Sequence, residues 1–194
     1  MLRVDPGIRD PRDLLPILAN IHKQKAKDSK LTIESRIIEM PILYQDPWSH
    51  EVLMRFRDRH QDPTSTDLDY CSRINGFSSA PEFIHAHSSR LHIATFVGFM
   101  PGNAECYQLV PSEMQLQAPK YVRPRTDTPD RALGFGGAFS TIYPVQGAGG
   151  FQLLGRCAAP VYETKRPFGP FEHSTVLPKG GDIFQYRSIE MAEY

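Results

Sequence analysis

The stretch Lys120–Arg156, KYVRPRTDTPDRALGFGGAFSTIYPVQGAGGFQLLGR, decides how this chain is read. Glycines and prolines punctuate it into short runs of β character. Arg125 lies in an extended segment bounded by prolines, Gly134–Ile142 reads as a strand, and Gly147-Ala148-Gly149-Gly150 reads as a turn. A further strand starts at Phe151 and runs toward Tyr162. Within it Gln152, Leu154 and Arg156 point to one side, because side chains alternate along a strand. Gly134-Phe135-Gly136-Gly137 lacks the GxGxxG spacing and no helix pattern follows it, so it is weak evidence for a dinucleotide site. Short strands separated by Gly/Pro turns suggest a closed barrel or a sandwich.

Outward from this stretch the same texture continues. Leu91, Ile93, Thr95 and Val97 alternate with His92, Ala94 and Phe96, and Asp182–Ile189 reads as a last strand. Turn chemistry at Met100-Pro101-Gly102 and Pro178-Lys179-Gly180-Gly181 separates these runs. Before Leu91 the pattern is helical. Asp46-Pro47 starts a helix with Trp48, Val52 and Phe56 on one face, and Ser65 or Thr66 starts another that stops at Gly76. Ser79 and Glu82 form a capping box for a short helix ending near His87. Further upstream, Leu2–Val4 reads as a strand and Asp13 caps a helix with Pro16 in its first turn and an apolar stripe of Leu14, Leu18 and Ile21. Lys23–Lys30 reads as a solvated linker and Arg36–Leu43 as a strand ending at or just after Pro41. The expected division is an α+β lobe over residues 1–88 and a β-barrel domain over residues 89–194.

Composition narrows the function classes. The chain has 194 residues, with 22 Lys+Arg against 22 Asp+Glu, which argues against nucleic acid as a partner. No apolar run approaches the length that crosses a bilayer, and Met1-Leu2-Arg3 leads into Asp5-Pro6-Gly7 rather than a leader, so no membrane is expected and the location is read as cytoplasmic. Cys71, Cys106 and Cys157 are odd in number and far apart, which suggests neither a disulfide framework nor a metal site. His85, His87 and His92 lack a neighbouring carboxylate or cysteine at ligand spacing. There is no P-loop, no lysine in a biotin-attachment context and no GxSxG elbow.

The spaced pattern is nevertheless specific. Pro124-Arg125, Thr128-Pro129, Gly134-Phe135-Gly136-Gly137, Ile142-Tyr143-Pro144, Gly149-Gly150-Phe151-Gln152 and Gly155-Arg156 together resemble the allophanate hydrolase subunit 1 family, and in particular its version in the carboxyltransferase domain of urea carboxylase. Arg73-Ile74-Asn75-Gly76, His87-Ser88 and Gly98-Phe99-Met100-Pro101-Gly102 fit it upstream, and Gly181–Tyr186 fits it downstream. Pro129–Gly134 lacks the run usual in stand-alone hydrolase subunits, and Asn103 stands where an aromatic is common. The resemblance implies a mainly β, overall α+β chain: a cyclophilin-like closed β-barrel preceded by a small, truncated α+β lobe.

It also implies a carboxyltransferase or amidolyase-type component acting on a urea-like, amide or lactam substrate with a second carboxyltransferase or allophanate hydrolase subunit. On that reading this chain binds no cofactor, and biotin or ATP comes from partner subunits. The rival readings are a non-catalytic binding module of the kinase-inhibitor type and a lone biosynthetic enzyme reusing the barrel pocket. Moving a carboxyl group needs cations and hydrogen-bond donors around a developing oxyanion. The expected catalytic residues are His87, which titrates near neutrality, and Tyr143, which can donate to an oxyanion. The expected substrate-binding residues are Arg125, Gln152 and Arg156, and all five are expected to border one pocket. The bland alternatives are a strand bridge for Arg156, a core aromatic for Tyr143 and a helix cap for His87.

Overall fold

The structure, a computed structural model, describes residues 4–25, 32, 34–165 and 168–194. The chain divides into two compact units, residues 1–34 and 35–194. Among its described residues the first has one α-helix, α1 (Leu14–Lys25), preceded by a 3-10 turn over Pro11–Asp13. Asp10, not Asp13, supplies the cap, its carboxylate accepting the Arg12 N–H at 2.9 Å. Pro16 still falls in the first turn of α1, where its missing N–H loses no bond. Val4 belongs to no strand, and the rest of the expected Leu2–Val4 strand and most of the expected linker lie outside the described residues.

The second unit is the barrel and its helices. Strand β1 (Ile37–Tyr44) comes first, followed by α2 (Pro47–Arg55), α3 (Asp67–Ile74) and α4 (Ala80–Ser88). Then come β2 (Leu91–Val97), β3 (Ala104–Gln108), β4 (Arg125–Thr128), β5 (Ala132–Gly136), β6 (Phe139–Ile142), β7 (Gly147–Gly149), β8 (Gln152–Cys157) and β9 (Ile183–Ser188). Seven strands close into a barrel in the order β1-β8-β5-β6-β3-β2-β9, while β4 and β7 form a separate two-stranded ribbon. Closure comes from β1, which runs antiparallel to β8 and parallel to β9, with Ile38 opposite Phe184 and Met40 opposite Tyr186.

That corrects the expected boundary at residue 88. The barrel needs β1 to pair its two free edges, so the domain begins near residue 35 and the helices between β1 and β2 are part of it. The long expected strand Gly134–Ile142 is a hairpin, β5 and β6, turning at Gly137 in a left-handed conformation (φ 61°).

The three helices start where the capping residues place them. Asp46, Thr66 and Ser79 each accept an N–H from the first turn, of Ser49, Asp69 and Glu82 respectively. Helix α4 sends Phe83 and His87 into the barrel core, where Phe83 meets Phe135 edge-on at 5.9 Å. Met40, Ile42, Phe135, Leu133, Leu154 and Phe184 fill the rest, each burial stabilising by about 1.5–3 kcal/mol. On β2 the inward residues are His92 and Ala94, and Leu91 and Phe96 are exposed. Cys71, Cys106 and Cys157 are buried. Among the described residues no helix is long and apolar enough to cross a membrane.

Candidate functional site

On β5 the side chains alternate across the barrel wall. Phe135 points into the core, and Gly134 and Gly136 face outward. A Cβ on Gly134 would stand 2.8 Å from Tyr143 Cε2 and 3.1 Å from Phe151 Cβ, and one on Gly136 would stand 2.5 Å from Phe151 Cδ1. The glycines therefore let two aromatic rings lie against the outside of the sheet. Gly149 on the β4–β7 ribbon does the same from the other side, because its Cβ would lie 2.5 Å from Tyr143 Oη and 2.8 Å from Thr128 Oγ1. The glycine-rich run shapes a wall and has no need of a phosphate to explain it.

Between this wall, the ribbon and the segment after Ala118 lies a cleft of about 610 Å³. Tyr121, Tyr143, Phe151, Val122 and Phe99 give it aromatic and apolar sides, and Asn103, Glu105 and Thr141 give it a polar floor. Asn103 is 2% exposed and Thr141 3%, yet Asn103 Oδ1 and Thr141 Oγ1 have no hydrogen-bond partner among the described residues. Buried polar atoms are ordinarily partnered, so these two, on residues that line the cleft, retain hydrogen-bonding capacity there. At the rim Lys120 Nζ sits 4.8 Å above the Phe151 ring. Phe99, 71% exposed, holds a left-handed backbone (φ 72°) that a bulky residue adopts at a cost.

Arg125 lies fully buried behind the cleft wall. Its guanidinium carbon is 4.4 Å from the Tyr121 ring centroid and its Nε donates to Thr128 Oγ1 at 3.3 Å. Its two terminal nitrogens are buried without a hydrogen-bond partner among the described residues and lie against the Tyr121 ring. Burial raises the Tyr143 pKa, and the Arg125 charge and the Gly150 and Phe151 N–H groups oppose that rise.

Tyr121 is fixed from behind. Its hydroxyl donates to Asp67 Oδ1 at 2.6 Å, and Asp67 Oδ2 accepts the Leu153 N–H at 2.5 Å. His60 Nε2 lies 3.5 Å from Asp67 Oδ1 and 2.8 Å from Gln152 Oε1, and Gln152 Nε2 donates to Pro119 O at 2.8 Å. Burial raises the Asp67 pKa, against the Leu153 N–H, the Tyr121 hydroxyl and the Arg125 charge. Sequence reading missed Tyr121, Asp67 and His60. Tyr121 lay inside the decisive stretch without a distinguishing neighbour, and Asp67 looks like an ordinary first-turn acid.

The structure does not bring the five expected residues to one pocket. Tyr143 lines the cleft and Arg125 stands behind it. Gln152 is buried in the support behind Tyr121. Arg156 lies on the outer face, its Nη2 on Asp130 Oδ1 at 2.6 Å and its guanidinium 5.0 Å from the Trp48 ring. The period-2 reading that paired Gln152 with Arg156 fails because the β5–β8 register shifts by one residue: Leu133 faces Gly155, but Gly134 faces Leu153. One extra residue, Leu154, sends Gln152 and Arg156 to opposite faces. His87 is inside the barrel, Nδ1 at 2.9 Å from Tyr44 Oη and Nε2 at 2.7 Å from Ser140 Oγ. Burial holds its pKa well below the usual value, so it is a neutral core residue and not a cleft acid or base.

The profile described as carboxyltransferase domain, subdomain C and D, matches residues 1–169. The chain is 26% identical over 180 residues to a 5-oxoprolinase subunit of Escherichia coli O157:H7, covering 92% of the chain and 71% of that protein. It is 26% identical over 178 residues to urea amidolyase of Saccharomyces cerevisiae, covering 86% of the chain. The chain spans only 10% of that relative's length. The crystal structure of the K. lactis urea amidolyase superposes with a TM-score of 0.75 at 20% identity, over 97% of this chain and 12% of that one. At that identity the likeness concerns the fold alone.

Proposed function

The chain belongs to the family of carboxyltransferase domains, subdomains C and D, and on that premise we propose that it is one part of a two-part carboxyltransferase or amide-hydrolysing assembly, holding an amide, urea-like or lactam substrate in the cleft outside the barrel. The carrying observation is the cleft itself: about 610 Å³, walled by aromatic rings, with two buried polar atoms on its floor lacking partners among the described residues. Such a space suits a small planar carbonyl compound. In this reading Tyr143 donates a hydrogen bond to the oxygen on which charge develops, and the buried Arg125 supplies a positive field behind it. His87, Gln152 and Arg156 belong to the frame.

A second subunit is supported by the exposed apolar mouth at Phe99 and Val122. Relatives named as one subunit of a 5-oxoprolinase point the same way, as does the short span of the urea amidolyase that this chain matches. Biotin or ATP, where the assembly uses one, is assigned to the partner, because the sequence offers neither a biotin-attachment context nor a P-loop. Three buried thiols suit a reducing cytoplasmic setting. The test is an assay of amide, urea and lactam hydrolysis by the purified chain, alone and with the protein encoded beside its gene. Turnover is expected only in the mixture and is expected to fall at least roughly tenfold in Tyr143→Phe. Robust turnover by the chain alone, or an unchanged rate in Tyr143→Phe, overturns the proposal.

A further inference from the structure

Strand β3 pairs with β6 through Cys106 opposite Ser140 and Tyr107 opposite Phe139. Continuing that register sets Glu105 beside Thr141 and Asn103 beside Tyr143. Ala104, Cys106, Ser140 and Ile142 point into the barrel or its core, so these four point outward, and all four line the cleft. Two neighbouring backbones thus present a patch with one carboxylate among three neutral polar groups. We propose that Glu105 is the specificity-determining residue of the cleft, admitting ligands that bring an N–H to its carboxylate while Asn103, Thr141 and Tyr143 beside it meet the ligand's carbonyl.

This rests on the cleft being the substrate site and adds which amides it takes. The Glu105 carboxylate has no hydrogen-bond or ion-pair partner among the described residues, although it lies half-buried between β2 and β6. The cation that shares the cleft, Lys120, sits over the Phe151 ring on the other wall. A carboxylate with unused acceptor capacity attracts an N–H and repels a ligand carboxylate. A ligand whose nitrogen is fully alkylated would leave that acceptor facing a methyl group, and a site built to bond an N–H strongly rejects the analogue lacking it. The neighbouring atoms complement this preference. Thr141 Oγ1 can donate to a carbonyl, as can Tyr143 Oη and the Asn103 amide, and Thr141 Oγ1 has no competing partner among the described residues. The ligand class is therefore a neutral amide, ureide or lactam that keeps at least one N–H on the nitrogen beside the carbonyl.

The test uses the five-membered lactam pyrrolidinone and its N-methyl derivative, titrated into the isotope-labelled chain while the backbone amide signals of Asn103, Thr141 and Gly149 are followed. The N–H lactam is expected to bind roughly tenfold or more tighter than the N-methyl compound. In Glu105→Met that ratio is expected to fall to about twofold or less, and in Glu105→Gln, which keeps an acceptor, to an intermediate value, with melting temperatures near that of the unaltered chain. Equal affinity for the two lactams in the unaltered chain overturns the Glu105 assignment alone, as does a ratio that persists in Glu105→Met. Absence of any shift at the three cleft residues with either lactam overturns the cleft as the substrate site as well.

Discussion

The inside and the outside of one barrel wall place their polar groups in different surroundings. Inside, Ser140, His87 and Tyr44 form a chain of hydrogen bonds at 2.7 and 2.9 Å, packed against Tyr186 and against His92, whose Nε2 is buried without a hydrogen-bond partner among the described residues but does not line the cleft. Outside, Thr141 and Asn103 are as deeply buried, but their oxygens have no partner among the described residues and border a cleft. A buried polar group that is satisfied specifies the fold, and one left unsatisfied beside a cavity is a candidate for chemistry. The type of residue does not distinguish the two; the neighbours do. His87 has the most catalytic side chain of the two sets and the most structural surroundings.

The largest effect should come from breaking the interior chain. His87→Leu would leave Tyr44 Oη and Ser140 Oγ without their partner in the core, at about 3–5 kcal/mol of folding stability. Chemical denaturation would show a lower midpoint, and the affinity of the cleft for a lactam probe, per folded molecule, would be unchanged. A loss of probe affinity in a folded His87→Leu variant would return His87 to the site.

Acid should act on the same interior next. Burial lowers the His92 pKa to about 4 and holds His87 well below its ordinary value. The unfolded chain, with His near 6.5, binds the proton first as pH falls. Stability is therefore full above about pH 6.5 and declines between about 6.5 and 4, with His92 contributing about 3 kcal/mol to the loss. After burial, the Arg90 carbonyl beside His92 Nδ1 raises the His92 value and the Arg90 charge lowers it, while the neighbouring His92 and the Arg90 charge both lower that of His87. Melting temperature measured across that window should fall in the unaltered chain and fall less in His92→Phe; parallel curves would contradict the buried neutral histidines.

A smaller effect separates frame from cleft on the outer face. Arg156→Ala removes the contact with Asp130, which is half exposed, and the stacking on Trp48, for about 1 kcal/mol of stability. Probe affinity should not move. A loss of affinity of roughly tenfold or more, the value of one charge-assisted bond, would place Arg156 in the site after all.

Much of this architecture was legible because it rests on local chemistry. The caps at Asp46, Thr66 and Ser79 announce three helices from residue type alone, and the Gly/Pro-punctuated β character around Gly134–Ile142 marks the strands of the barrel wall. Of the five expected site residues, Tyr143 lines the cleft and Arg125 lies buried behind it, because the Pro- and Gly-bounded segments that carry them form the wall and the ribbon. What stayed hidden depends on long-range pairing. Strand β1 reads like part of the preceding lobe until β8 and β9 are seen to need it, and a single inserted residue at Leu154 turns Arg156 away from Gln152. Residues as unlike as His60, Asp67 and Gln152 meet behind Tyr121 only because α3 and the loop before it pack on β8. No spacing rule encodes such a meeting.

Ser140 and Thr141 are adjacent on β6, one turned in and one turned out, so a single pair of variants measures the division between frame and site. Ser140→Ala and Thr141→Val should each be followed for melting temperature and for affinity toward a lactam probe. The expected result is opposite behaviour. Ser140→Ala strands the His87 ring nitrogen and loses about 1–3 kcal/mol of stability with probe affinity unchanged, whereas Thr141→Val keeps or gains stability and loses probe affinity. The contrary result, stability lost at Thr141 and affinity lost at Ser140, would move the functional site from the outer cleft to the barrel interior.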